Sequence, residues 1–449
     1  MKFKSSAYLL TLFVLISLFL SHCENPQLDT NKIKEEVNIK LKVELKNNIA
    51  HLSWEISNLQ QLNTFNIKRY YATKIKNIDC DTCVEFTQKE FDEIYKLKYE
   101  DIALNSNSLN YNSFRDSLFS YNEELFYKIV IWDGKSVLES NYYKLKIPDL
   151  PVLGISPYKV LYDPDLNDLF IIDNSDSVKL YTFSLNDNRI TKIYDFGFEA
   201  TYLPQSDMCL GIFNGERKLI FTARTEVFIF NLSDLKLETT FNFGKEYIGA
   251  VACDMGNYIY VTGEMGIISR IDYHEKTILK LNTLMHLSGE VNLRYGNGHI
   301  YVIPIGTNWI RIDKYKIQES GTLLTVRTKE IRTDLINDFD YCESNEMLVL
   351  SNGLLLDKNL MLIKDLDFPS SSENFAFTED GKSVELITPG TKHLNIVDME
   401  SGKTTYKKTL LSYPFCIFPG IKSNINIGRI PENPNYAYSG PDLMCIEIY

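Results

Sequence analysis

Tyr258-Ile-Tyr-Val261 and His299-Ile-Tyr-Val-Ile303 are close copies of one another. Asp168-Leu-Phe-Ile-Ile172, Lys218-Leu-Ile-Phe221, Met347-Leu-Val-Leu350 and Val384-Glu-Leu-Ile387 share their form. Short runs rich in β-branched and aromatic residues, bounded by polar turns, read as buried strands. With the last residue of each run as an anchor, the runs recur in steps of 37 to 49 residues, averaging 43. One more step beyond Ile387 falls on Asn424-Ile-Asn-Ile-Gly-Arg-Ile430. A repeat of about 40–45 residues holds roughly four strands, and it buries its apolar faces only by packing on its neighbours.

A second pattern follows the anchors on the next strand. It reads Ser269-Arg-Ile-Asp-Tyr-His-Glu-Lys276, Ile310-Arg-Ile-Asp-Lys314 and Asn395-Ile-Val-Asp-Met-Glu-Ser-Gly-Lys403, with Phe228-Ile-Phe-Asn-Leu-Ser-Asp234 as a looser copy. Asp or Asn closes the strand because its side chain accepts backbone N–H bonds in the turn. The repeat resembles WD40-like and YVTN-like β-propellers, which implies a propeller over residues 150–449, with seven blades favoured over six. The paired Gly-His and Trp-Asp signatures of WD40 blades are missing: Gly298-His299 has no Trp-Asp to close its blade, and Trp132-Asp133 lies outside the repeat. Leu443–Tyr449 takes the third strand of blade seven. Val152 to Tyr158 is expected to supply the fourth, because closure pairs an open sheet edge.

Residues 37–149 form a separate unit. Ile39-Lys-Leu-Lys-Val-Glu-Leu45, His51-Leu-Ser-Trp-Glu-Ile56, Phe65-Asn-Ile-Lys-Arg-Tyr70 and Phe126-Tyr-Lys-Ile-Val-Ile-Trp132 alternate apolar with polar residues, as half-buried strands do. Asp133-Gly134 reads as a hairpin turn. Trp54 and the strand order resemble a fibronectin type III domain, with an insertion around residues 77–115. The fold class expected is all-β: an Ig/fibronectin type III-like sandwich followed by a β-propeller. The one helical candidate is Gln88 to Leu97.

The N-terminus carries an export signal. Lys2 and Lys4 precede an apolar stretch from Ala7 to Leu20, and Leu20-Ser-His-Cys23 follows. The motif resembles a bacterial lipobox with His22 in place of the usual small residue. It implies a signal peptide over residues 1–22, a lipid (palmitate-type) acyl anchor on Cys23, and a polar tether over residues 23–36. Glu24, rather than Asp, favours the outer membrane. The full chain carries a net charge of −12, which disfavours nucleic acid and anionic headgroups as partners. Apolar residues make up 44% of the chain, enough for full cores.

Cys80-Asp-Thr-Cys83 serves as a loop disulfide, a redox pair or half of a metal site. The missing helix frame and the missing second ligand pair favour the disulfide. Cys209, Cys253, Cys342, Cys416 and Cys445 sit in apolar runs and read as small buried hydrophobes. Asp163-Pro-Asp-Leu-Asn-Asp168 reads as a hairpin turn rather than a calcium loop.

P-loop, G-x-S-x-G, H-E-x-x-H and EF-hand patterns are absent, so no catalytic residue, metal or cofactor is assigned. Ligand contacts are expected where loops converge at the channel mouth. The candidates are Arg224, Glu246, Tyr247, Glu290, Asn308 and Trp309, the last as an aromatic platform beside a polar neighbour. The resulting expectation is a cell-envelope, non-catalytic binding or scaffold protein with an envelope protein partner. Glycan or peptide capture at the channel mouth and a propeller lyase or hydrolase are the alternatives.

Overall fold

The computed structural model describes residues 38–448 except 47, 58–63, 77–82, 107–111, 117–123, 133–134, 148–149, 176, 200–202, 204–205, 264–265, 282–290, 305–308, 333–335, 337, 369–373, 389, 420–423 and 431–442. The signal sequence, Cys23, the tether, Cys80, the Asp133-Gly134 turn, Glu290 and Asn308 lie outside the described residues.

From residue 152 onward the described chain forms seven four-stranded antiparallel sheets. Their first strands are Pro157–Asp163, Met208–Phe213, Ile248–Cys253, Val291–Gly296, Phe339–Cys342, Phe375–Phe377 and Tyr413–Phe418. Each first strand packs beside the first strand of the next sheet, which places all of them around one axis. A separate apolar cluster fills each junction. Leu219 and Phe221 meet Phe170 and Ile172 between sheets one and two. Ile425, Ile427, Met444 and Ile446 meet Val160, Leu169 and Ile171 between sheets seven and one, so the ring closes on itself. The seventh sheet takes its outer strand from the start of the unit: Val152 and Leu153 pair with Cys445 and Met444.

Second strands lie in the middle layer and are packed on both faces. Leu169 to Asp173 is buried at every position, which is why these runs do not alternate. Fourth strands face outward, and Arg189–Asp195 alternates between exposed and half-buried.

The smaller unit stacks two sheets. Asn38–Lys46, Ile49–Ser57 and Ser113–Asp116 make one. Glu85–Phe86, Tyr142–Leu145, Glu124–Trp132, Thr64–Lys74 and Tyr95–Ser106 make the other, with Val137–Glu139 added beside Glu124–Trp132. Leu41, Leu52 and Trp54 of the first sheet meet Phe65, Ile67, Tyr71, Tyr127 and Ile129 of the second. A helix, Gln88–Ile94, covers the far face of the second sheet with Phe91 and Ile94. Thr87 caps it: its hydroxyl accepts from Glu90 N–H while Glu90 accepts from Thr87 N–H. The helix ends earlier than the expected Leu97. Tyr95 opens a twelve-residue strand that pairs with Thr64–Lys74. Residues 95–106, within the segment expected to be inserted, are therefore a strand of the sheet. Because that sheet is covered on both faces, Tyr70 and Tyr71 are both buried, one toward the helix and one toward the opposing sheet.

The two units touch. Leu411, in the link between sheets six and seven, joins the core of the smaller unit. Asn48 Nδ2 donates to Glu447 Oε1 at 2.8 Å, and Glu447 Oε2 accepts from Leu411 N–H at 2.9 Å. Among the described residues no helix is long and apolar enough to cross a membrane.

Candidate functional site: the central channel

The first strand of every sheet in the larger unit contributes to one central cavity of about 920 Å³. Its polar groups come mainly from first strands and the residues just before them. Asp207 directly precedes Met208–Phe213, Asp338 directly precedes Phe339–Cys342, and Asn374 directly precedes Phe375–Phe377. Backbone bonds fix these positions in the same way from sheet to sheet. Thr222 N–H donates to Asp207 O at 3.0 Å, Ser351 N–H to Asp338 O at 3.0 Å, and Ile387 N–H to Asn374 O at 3.1 Å.

Two ion pairs cross the cavity wall. Lys159 Nζ lies 2.8 Å from Asp207 Oδ1, and Arg294 Nη2 lies 3.1 Å from Asp338 Oδ1. Asn292 Nδ2 and Phe339 N–H also donate to Asp338 Oδ1, at 2.9 and 2.8 Å. Asp207 Oδ2 accepts from Val251 N–H at 3.3 Å. Burial opposes ionisation of Asp207, but Lys159 and Arg294 outweigh it and hold the carboxyl below its ordinary range. Burial in the channel pushes the Asp340 carboxyl up, against the pull of Arg294 and of Phe377 N–H, which donates to it at 3.1 Å. Ser206 Oγ is buried in the same wall with no hydrogen-bond partner among the described groups.

The residues expected at the mouth are distributed differently. Arg224 lies between the second and third strands of sheet two at φ 58°, its guanidinium 5.7 Å from the Phe198 ring. Its carbonyl accepts from Ile248 N–H at 2.8 Å, which brings it next to Tyr247, an exposed side chain directly before the first strand of sheet three. Glu246 pairs with Lys280. Trp309 is not in a loop: its backbone opens the strand Trp309–Ile317 and pairs with Arg332, because Trp309-Ile-Arg-Ile continues a strand alternation. Cys83 is disulfide-bonded. Asp163 Oδ1 accepts from Asp165 and Leu166 N–H at 3.0 and 3.2 Å and pairs with Arg217 at 2.7 Å, which makes this segment a stapled turn.

No family model matches the chain, and no curated protein matches it. The β-propeller domain of Cps50 (Swd1) from Myceliophteria thermophila superposes with a TM-score of 0.50 at 12% identity, over 66% of this chain and 97% of that one. The larger unit is a β-propeller. Hydrazine synthase of Kuenenia stuttgartiensis gives 0.48 at 14% identity, over 63% and 94%. The RRP9 WD40 repeats give 0.47 at 12% identity, over 67% and 98%. At such identities the likeness speaks of the propeller's path and not of its ligands. The four charges of the two ion pairs stand at positions 159, 207, 294 and 338 in four different blades, so no local motif joins them in the sequence.

Proposed function

We propose that this protein is a lipid-anchored envelope binding protein that seats a segment of a protein partner in its propeller channel, the smaller unit acting as a fibronectin type III-like spacer next to the acylated Cys23. The observation that carries the reading is the central cavity with both charge signs on its wall, Lys159–Asp207 and Arg294–Asp338. A peptide offers donors, acceptors and charges of both signs, so it replaces such pairs without leaving buried charge unpaired. Asp207, held ionised by its cations, is a weak general base, since an efficient base has a pKa near the working pH. The propeller wall is thus better suited to recognition than to proton transfer. Asp340, pushed toward its protonated form, favours a second reading, in which it is the acid of a propeller lyase or hydrolase.

The test is a native pull-down of the full-length lipidated protein in mild detergent, beside a Lys159→Met/Arg294→Met variant. We expect a stoichiometric envelope protein with the wild type and its loss with the variant, and an acylated Cys23 as first residue. A partner retained by a folded variant places recognition elsewhere. Isolation of both proteins alone moves the reading to Asp340 chemistry on small molecules.

A further inference from the structure

Two cysteines of the channel wall face each other. Cys209, on the first strand of blade two, and Cys253, on the first strand of blade three, place their sulfurs 3.1 Å apart. Both are free thiols, and both line the cavity. They are 44 residues apart, one blade repeat, so the contact is made by neighbouring blades and not by a local loop. The surrounding wall already couples these strands, since Asp207 Oδ2 accepts from Val251 N–H at 3.3 Å. Gly211 stands beside the pair: a Cβ there would come within 3.2 Å of Cys253 Sγ. A bare backbone at this position leaves room for the sulfurs to approach.

We propose that Cys209 and Cys253 are a disulfide-forming pair that staples blade two to blade three at the channel wall. Closing the 3.1 Å sulfur contact to the roughly 2.05 Å of a disulfide needs only about 1 Å of approach between neighbouring blades. The oxidant is a low-molecular-weight disulfide small enough to enter the channel. The Cys209 thiol gives its proton to water and the thiolate attacks one sulfur of the oxidant, releasing one thiol and leaving a mixed disulfide. The Cys253 thiolate then attacks Cys209 Sγ and releases the second thiol. Two cysteines are oxidised and one external disulfide is reduced to two thiols. Burial and the neighbouring Cys253 push the Cys209 thiol up, so exchange runs faster at alkaline pH. The pair is independent of what the channel binds.

The test uses the full-length protein, reduced and then exposed to oxidised glutathione at mildly alkaline pH, denatured, alkylated and mapped by mass spectrometry. We expect a Cys209–Cys253 linked peptide two hydrogens lighter than the reduced pair, with Cys342, Cys416 and Cys445 still alkylated. Cys253→Ser is expected to stop at a glutathione adduct on Cys209. The oxidised wild type is expected to melt higher than the reduced protein, and Cys209→Ser/Cys253→Ser to lose that shift. Both thiols remaining alkylatable, or separate glutathione adducts on each in the wild type, overturns the proposal.

Discussion

Lys159 of blade one and Asp207 of blade two meet across the channel wall at 2.8 Å, so the first two blades are joined by charge as well as by apolar packing. The two partners are not equivalent. Asp207 is buried and accepts further from Val251 N–H, whereas Lys159 reaches the open cavity. Removing the acid leaves a backbone donor and a cation without a partner. Asp207→Ala is therefore expected to lower stability by about 2–3 kcal/mol. Lys159→Met is expected to cost less, about 1 kcal/mol, because the carboxyl it leaves keeps the Val251 N–H bond and the attraction of Arg294. Denaturant unfolding of both variants checks the order, and equal losses would contradict it.

Ring closure is testable on a single strand. Ile446 and Ile448 both lie on Leu443–Ile448, two residues apart. Ile446 is 1% exposed and packs into the junction between the seventh and first sheets, while Ile448 is 56% exposed. Ile446→Ala is expected to cost about 2–5 kcal/mol, and Ile448→Ala about 0.5 kcal/mol or less. If the strand does not close the ring, the two losses will be alike in urea melts.

How much of this was legible beforehand depends on which strand is considered. The seven anchors, Ile172 through Ile430, all fall within second strands, because strands packed on both faces show as continuous apolar runs. The short helix was visible through Phe91, Ile94, Tyr95 and the Glu and Lys residues around them, but its end was not, since Tyr95-Lys-Leu-Lys suits a helix turn or a strand until the pairing with Thr64–Lys74 decides. The channel was not legible. First strands such as Ile248-Gly-Ala-Val-Ala-Cys253 carry no polar alternation, and Lys159, Asp207, Arg294 and Asp338 meet only when the ring closes. Cys209 and Cys253 read as two unrelated hydrophobes for the same reason.

Gly428 and Ser412 are matched by shape. A Cβ at Gly428 would lie 1.7 Å from Ser412 Oγ, and that hydroxyl accepts from Asn426 Nδ2 at 3.1 Å. Gly428→Ala is thus expected to destabilise by about 1–3 kcal/mol through overpacking. Adding Ser412→Gly removes the clash and is expected to recover part of the loss, less the bond to Asn426. A double-mutant cycle measures the coupling. Additive losses would show that the two positions do not compete for space.

Lys392 gives the pH dependence. It is buried where blade six meets the smaller unit, facing Asp116, Arg69, Glu447 and Cys445, with the Tyr413 ring 5.5 Å away. Burial pushes its ammonium down to about 7, against the opposing pull of Asp116 and with the help of Arg69. An unfolded lysine keeps its proton to about pH 10.4. Between those two values the unfolded chain binds the proton and the folded chain does not, so stability rises with pH across this window. Below about pH 7 both states carry the proton and the penalty of a buried charge is fully present. Above about pH 10.4 neither does, and the penalty is gone. Lys392→Met removes the titrating group and keeps the aliphatic stem. Its advantage over the wild type is expected to be largest near pH 6, up to about 3–4 kcal/mol, and to shrink steadily toward pH 10. Subtracting the two profiles cancels the other lysines and tyrosines, which titrate in both proteins. Chemical unfolding at a series of pH values gives the difference directly. Parallel curves would mean that Lys392 keeps its proton in the folded state, paired with Asp116 across the junction of the two units.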